Sequence, residues 1–568
     1  LDDSHFEAAG YNKQDLFGYY ISEEQGYTVA AFPTLSELRQ SVLWEPVPTI
    51  MEWLREQAEE SQQPRLVFVG DDGEKFGVWP GTHERAWGDE QYMEKLFSAL
   101  EQASDWLTTI RPMDYLDQHN ALGRVYLPTA SYFEMRQWSL PPERFRELHT
   151  IRHELEGRDD IQRYLVGSMW RNFMVKYDEV NQMHKRMLIV ARKVHAMPDG
   201  SDKQHALDHL WRAQSNDAYW HGLFGGVYLF NFRVENYTNL IAAETLAEGP
   251  HAPLTLERLD FSKDGSSEIL LTGDPLNAIW KPNLGGMMLE LDSRPLRYNV
   301  LNVMTRREEG YHDEIRAAAA AGRLLLPDPN ELIDYSKRDT TRVKEAGIEQ
   351  HLIYDWHRRG AFIDHFLPDD TDVIDVYQSL YNEQGDFVTQ PYQAEYTLEG
   401  GTARITLTRD GHVWGKTKVH SVQVQKQFVF HHGESRFHCE YRLRNQSSVP
   451  LSLRFAVELA SGFDGGQVLR YCHLKLNDQP EKRSLAAVAE YPAITRHTTV
   501  TSIRSLALST ELSQPCALWT YPLETITNSE AGYERGYQGT VYLHVWSLHL
   551  NPDTDWNVMI DQQVSAYN

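Results

Sequence analysis

Three regimes of hydrophobic patterning follow one another along the chain. In the first, short apolar runs alternate with helix-period segments. Thr49 precedes Ile50, Met51, Trp53 and Leu54, which predicts a capped amphipathic helix reaching about Glu60. Leu66-Val67-Phe68-Val69 is then closed by Gly70-Asp71-Asp72-Gly73, the pattern of a strand buried on both faces. Tyr92 to Gln102 returns to the helical period, and Trp106 to Ile110 reads as a further short strand. This β-then-α order predicts a parallel sheet or part of a barrel. The opening Leu1-Asp2-Asp3-Ser4-His5-Phe6 reads as the end of a strand. Since Leu1 is not an initiator Met, it also predicts a chain that lacks its natural N-terminal part.

From about Pro141 to Glu248 the period is helical. Met183, Met187, Val190 and Val194 recur at helix spacing, as do Leu207, Leu210, Trp211 and Gln214, and this stripe reads as core packing. Beyond about Pro250 the period becomes two. Leu451, Leu453, Phe455, Val457 and Leu459 alternate with Ser452, Arg454, Ala456 and Glu458, and Phe437, Cys439, Tyr441 and Leu443 do the same among charged neighbours. One-sided alternation predicts antiparallel strands with one face on a core, hence a large β-sandwich. Gly433 marks a hairpin after Val422 to Phe430. The Ala317 to Ala321 run reads as a helix inserted into this region, with Gly322 as its C-cap. The predicted class is α/β plus all-β, in units of residues 1–125, 126–245 and 246–568.

Composition narrows the partners. With Lys+Arg 55 against Asp+Glu 81, the formal charge of −26 argues against nucleic acid and anionic membrane surfaces. Fifteen Trp and 29 Tyr supply flat faces with hydrogen-bonding tips, which suit neutral polar ligands, sugars above all. Three cysteines show neither a disulfide framework nor metal spacing, so the reading is a reducing, cytoplasmic setting. His221 to Phe232, the most apolar stretch, is too short and Gly-rich to span a bilayer.

Two segments carry candidate chemistry. Asp71, Asp72 and Glu74 crowd carboxylates at the end of the Leu66–Val69 run, where parallel α/β folds build their sites, with Trp79-Pro80-Gly81 close by. A carboxyl crowded in this way and walled by apolar groups holds its proton nearer neutral pH. A solvated acidic turn is the alternative. Asp217, Trp220 and His221 stand at i, i+3 and i+4, so a helix would put them on one face. There, Asp217 beside Trp220 matches sugar recognition, and Asp217 with His221 matches a structural hydrogen-bonded pair or two metal ligands, too few for a site. The bulky amphipathic segment from Trp170 to Arg186 reads as a packed interdomain surface.

Four stretches, VFVGDDGEKFGVWPGTHE, LPTASYFEMRQWSLP, WRNFMVKYDEVNQMHKRML and RAQSNDAYWHGLFGGVYL, resemble glycoside hydrolase family 57, in its 4-alpha-glucanotransferase and alpha-amylase branch. Gly285-Gly286, Glu290-Leu291-Asp292 and Arg306-Arg307-Glu308 resemble that branch's C-terminal domain. The resemblance implies the C-terminal part of a distorted (β/α)7 barrel, a helical middle segment and a galactose-mutarotase-like β-sandwich. It implies a retaining enzyme on α-1,4-glucans and maltooligosaccharides that needs no metal or organic cofactor, and a homodimer is compatible with it. Asp72 matches the general acid/base, while Glu74, Trp79, Asp217 and Trp220 match the donor-sugar site. The family's nucleophilic glutamate precedes the segment matched by Asp2 to Phe6, which places it upstream of this chain. Transfer to a sugar acceptor is the leading expectation. An alpha-amylase-type hydrolase and, for this chain alone, a non-catalytic glucan-binding module are the alternatives.

Overall fold

The period-two region folds into antiparallel strands, as its alternation requires, but these strands form one continuous sheet. The structure, a computed structural model, describes residues 1–79, 81–326, 341–415, 418–529 and 532–567. Among them the sheet has 16 strands. From one edge it runs through Gln393–Glu399, Thr402–Trp414, Val419–His431, Arg436–Asn445, Asp555–Ala566, Leu506–Thr527 and Glu534–Leu550. It continues through Leu451–Ser461, Ala361–Leu367, Met287–Ser293, Leu276–Lys281 and Glu268–Thr272 to Thr255–Leu259. The two edge strands come back against one another, so the sheet nearly closes on itself. Its interior is filled from both sides: Trp280 meets Phe428 and Phe430 with ring centroids 5.3 and 5.5 Å apart. The expected sandwich is thus two layers of a single curled sheet.

Local chemistry sets the details. Phe437, Cys439, Tyr441 and Leu443 all face the core, and Gly433 takes the positive φ of 81° that the hairpin turn needs. The alanine run ends the helix His312–Ala320, with Gly322 at φ 63° just beyond it. Met287–Ser293 and Ala361–Leu367 are buried on both faces and therefore lose the alternation seen elsewhere. All three cysteines are free and buried. No helix among the described residues is long and apolar enough to cross a membrane.

The helices Asp178–His195, Ser201–Ala213 and Phe230–Glu248 pack together and lie against the sheet. Met183, Val190, Val194 and Leu210 are buried, whereas Trp211 is 55% exposed and lies outside the apolar stripe. Helices and sheet share apolar packing, with Met304 and Ile526 joining the helical core, and buried charge. The buried guanidinium of Arg186 donates to Glu244 Oε1 at 2.7 Å and to Glu290 Oε1 at 2.8 Å. Lys193 and Asn277 donate to the same Glu244 carboxylate at 2.7 and 3.0 Å. Burial alone would raise Glu244, but Arg186 and Lys193 outweigh it and hold the carboxyl well below its usual range. Burial and the neighbouring Glu290 push Asp292 up instead. The Trp170–Arg186 segment is therefore the packed interdomain surface its composition predicted.

The N-terminal region departs further from expectation. Leu1 to Phe6 is strand-like only at Asp2, which makes a single parallel bridge to Thr34; Asp3–Ala8 is then a helix, capped by the Asp2 side chain accepting from the Ser4 N–H at 3.1 Å. Leu66 to Val69 is extended but forms no ladder. Leu66 N–H donates to Phe17 O, and Phe68 O accepts from Leu35 N–H, each at 3.2 Å, and Val69 is 38% exposed. Trp106 to Ile110 is likewise not a strand. The only sheet here is three-stranded among the described residues, with Tyr20–Glu24 between Tyr27–Ala31 (antiparallel) and Gly123–Arg124 (parallel). Hydrophobic runs of strand length became extended connections because they found single partners rather than neighbouring strands. The helices Val47–Glu59 and Tyr92–Gln102 form as predicted, the first capped at Pro46 rather than Thr49, with Pro48 in its first turn where no N–H is needed.

Replacing Arg186 by Met leaves Glu244 and Glu290 buried without their shared cation. Thermal and denaturant unfolding should show a loss of about 3–5 kcal/mol. Arg111→Ala, which removes an exposed pair with Asp114, should leave the midpoint nearly unchanged.

Candidate active site

The acidic segment separates its three carboxylates by what each one touches. After the extended stretch, Gly73–Phe76 makes a single 3-10 turn with Asp72 at its cap position. Lys75 points inward, is buried, and donates to Asp71 Oδ2 at 2.7 Å and to the Arg39 carbonyl. Arg39, on the helix Ser36–Ser41, reaches Asp71 Oδ1 at 3.4 Å and Asp72 Oδ2 at 3.1 Å. Asp71 is thus a buried anchor, with 7% of its side chain exposed against 50% for Asp72. Burial would lower Arg39, but Asp72 and Asp71 more than offset this and raise it. Asp3, also buried, holds the start of the Arg39 helix by accepting from the Ser36 N–H at 2.9 Å and hydroxyl at 2.7 Å.

Glu74 is exposed, and its carbonyl accepts from the Val78 and Trp79 N–H groups at 2.8 and 3.1 Å, which folds Trp79 back toward the turn. Trp79 is partly exposed, and Thr82 fixes it from behind by donating N–H and hydroxyl to its carbonyl. Pro80 of the Trp79-Pro80-Gly81 motif lies outside the described residues.

The second segment comes from the helical region. Asp217 sits in a 3-10 turn, Asn216–Tyr219, and Trp220 leaves it in extended backbone. Asp217 and His221 therefore do not share a helical face, contrary to the spacing argument, because the α-helical period ends at Ala213. His221 is a core residue: its Nε2 pairs with Tyr311 Oη and its Nδ1 with Phe224 O, both at 2.9 Å, and burial lowers its pKa to about 4. Asp217 is half-buried, and its carboxyl is raised by desolvation and then by the charges of Glu74 and Asp72. Asp217, distant in sequence from the acidic turn, thus feels the charge of that turn. The crowding foreseen for the acidic turn is felt by Asp217.

Trp220 is 7% exposed, less open than a sugar platform read from sequence. Its ring stands edge-on to Phe224 (centroids 4.8 Å) and Tyr132 (6.4 Å). Its Nε1 has no hydrogen-bond partner among the described residues. Gly226 makes this wall possible: it has φ 55°, and a Cβ there would lie 2.2 Å from the Trp220 carbonyl oxygen. Two site residues escaped the sequence reading. Tyr132 packs on Trp220 and lies 5.8 Å under the Arg39 guanidinium, so Arg39 and Tyr132 link Asp72 to the Trp220 wall. Tyr132 stands within the stretch LPTASYFEMRQWSLP, whereas Arg39 has no sequence signal.

A second buried charge supports the wall. Glu309, from the sheet region, accepts from Tyr177 Oη at 2.6 Å and from Lys176 Nζ and Tyr228 Oη at 2.7 Å. Burial opposes its ionisation, but Lys176 and these partners bring it down to about 2. With the folded pKa below the ordinary 4.5, this stabilisation is complete above pH 4.5 and is lost as pH falls toward 2. Glu309→Gln should therefore lower the melting temperature at pH 7 and flatten its decline on acidification. Asp217 has the opposite sign, its folded pKa being raised, so it favours the fold only while protonated. Asp217→Asn should raise the melting temperature modestly at pH 7 and have no such effect at pH 3.

The Glycosyl hydrolase family 57 model matches residues 1–128, the Alpha-amylase/4-alpha-glucanotransferase middle domain 168–247, and the corresponding C-terminal domain 260–560. The chain is 32% identical over 563 residues to alpha-amylase 1 of Dictyoglomus thermophilum, covering 99% of this chain and 78% of that one. It is 32% identical over 559 residues to the 4-alpha-glucanotransferase of Thermococcus litoralis, covering 96% and 76%. The crystal structure of 4-alpha-glucanotransferase from Thermococcus litoralis superposes with a TM-score of 0.78 at 28% identity, covering 99% of this chain and 77% of that one. Fold, domain order and sequence together place the chain in glycosyl hydrolase family 57, among its alpha-amylase and 4-alpha-glucanotransferase members.

Proposed function

We propose that the chain acts on α-1,4-glucans and holds the acid/base half of a retaining site, with 4-alpha-glucanotransfer as the reaction. The reading is supported by the family match and by Asp217, whose carboxyl is raised in part by the charges of Glu74 and Asp72, with Trp79 partly open and Trp220 forming a wall. Asp71 is held by the buried Lys75, and Asp72, half exposed and paired with Arg39, is the carboxyl at the position that resembles the family's acid/base.

In this mechanism a carboxylate attacks the anomeric carbon as the glycosidic bond breaks, and Asp72 gives its proton to the departing oxygen. The two carboxyl groups stand roughly 5 Å apart across the bond. Asp72 then takes the proton of an incoming sugar hydroxyl, whose oxygen displaces the carboxylate from the anomeric carbon. Arg39 holds Asp72 in place throughout, Glu74 and Asp217 accept from donor-sugar hydroxyls, and the Trp79 face packs against a glucose ring. Glu74 is too near Asp72 along the chain to attack from the opposite side. The nucleophile in this reading is a further carboxylate facing Asp72 across the bond.

A hydrolytic reading shares the same residues and differs only in the acceptor, water instead of sugar. It is supported by relatives named alpha-amylase that match as well as those named 4-alpha-glucanotransferase. Products decide between them: maltoheptaose converted to longer chains means transfer, and only shorter chains mean hydrolysis. The 568-residue chain itself should bind maltoheptaose without turning it over, as a glucan-binding module would. Appreciable turnover would show that the nucleophile lies within it. In a catalytically complete form, Asp72→Asn should cut turnover about 100- to 10,000-fold while glucan binding persists, and near-normal turnover would refute the assignment.

A further inference from the structure

Apart from the sugar-facing site, two imidazoles and a carboxylate converge inside the sheet. Glu458 lies on the strand Leu451–Ser461 and His365 on its neighbour Ala361–Leu367, where Ala456 pairs with His365 and Glu458 with Ile363. His365 and Glu458 are thus diagonal neighbours, near enough to meet on one face. His357 approaches them from the loop that enters the second strand. All three side chains are buried. His365 Nε2 lies 3.4 Å and His357 Nε2 3.7 Å from Glu458 Oε2. Neither Nε2 atom nor Glu458 Oε1 has a hydrogen-bond partner of its own among the described residues. Leaving such atoms unmatched in a protein interior is costly, and a cation would match them together.

We propose that His357, His365 and Glu458 form a structural binding site for a divalent transition metal of the zinc type. The spacings to Glu458 Oε2, 3.4 and 3.7 Å, lie close to what such an ion needs. Metal–nitrogen and metal–oxygen bonds of about 2.0–2.2 Å in tetrahedral geometry put ligand atoms about 3.3–3.6 Å apart. The outer shell fits as well. His357 Nδ1 is paired with the Arg358 carbonyl and His365 Nδ1 with Glu383 Oε2, each at 2.9 Å, which turns both Nε2 atoms inward. Two imidazoles select against calcium and magnesium, which take oxygen ligands. Arg359 also donates to Glu458 Oε2, at 2.5 Å, and its charge is balanced by Asp355 at 2.7 Å. With a metal in place, the His357 loop would be stapled to the centre of the sheet. The site stands independently of the glucan reading.

The test uses the full, untagged chain, stripped with a chelator and dialysed against zinc. About one zinc per chain should be retained, with a rise in melting temperature, and cobalt in its place should give the visible absorption of tetrahedral coordination. His357→Leu, which removes one ligand and only one backbone hydrogen bond, should lose the zinc, the thermal gain and the cobalt spectrum. Glu383→Gln should weaken zinc binding about 10- to 100-fold, as expected for a group that orients a ligand. Failure of the unaltered chain to retain zinc, or equal retention by His357→Leu, would overturn the proposal.

Discussion

The arrangement rests on buried ion pairs between the helical segment and the sheet. Arg186 ties Glu244 of one helix to Glu290 of the sheet, and Lys176 does the same for Glu309. Apolar packing holds each unit together but is indifferent to small slides of one unit over another. A guanidinium that must meet two carboxylates in the interior tolerates no such slide, since leaving either unmet costs several kcal/mol. The site inherits this rigidity: Glu309 gathers Tyr177 and Tyr228 behind the segment that carries Trp220, and that segment leads back to Asp217.

The acidic turn shows how a fold separates like residues by environment. Asp71, Asp72 and Glu74 are chemically near-equivalent, yet a single inward lysine makes Asp71 structural and leaves Asp72 half exposed. Lys75 is itself lowered by burial, a cost the fold bears to anchor the turn. The carboxyl whose proton affinity rises is Asp217, more enclosed than the turn and facing its two charges. The chain's relatives in family 57 include both alpha-amylases and 4-alpha-glucanotransferases.

Sequence reading succeeded where a segment's period and its packing agree. Phe437, Cys439, Tyr441 and Leu443 alternate because one face of their strand meets the core, and Met183, Val190 and Val194 recur because one helix stripe does. Leu66 to Val69 and Trp106 to Ile110 failed because an apolar run says only that burial is sought, not that hydrogen-bonding neighbours exist to make a strand. Leu1 to Phe6 failed because a cap, Asp2 on Ser4, outweighed the look of the run. Trp220 was legible as a site residue through its motif, but its near-complete burial was not.

The amino-acid order by itself determined the three patterning regimes, the acidic turn, the Asp217 to Trp220 segment and the family, because each is written in contiguous residues. Tertiary structure alone decided that the sheet is single and curled, that Arg39 and Tyr132 join the site, and that His357, His365 and Glu458 converge. Those facts depend on contacts between residues distant along the chain. Contacts of that kind are set by how whole faces pack and by where a buried charge finds its partner, and neither leaves a local mark.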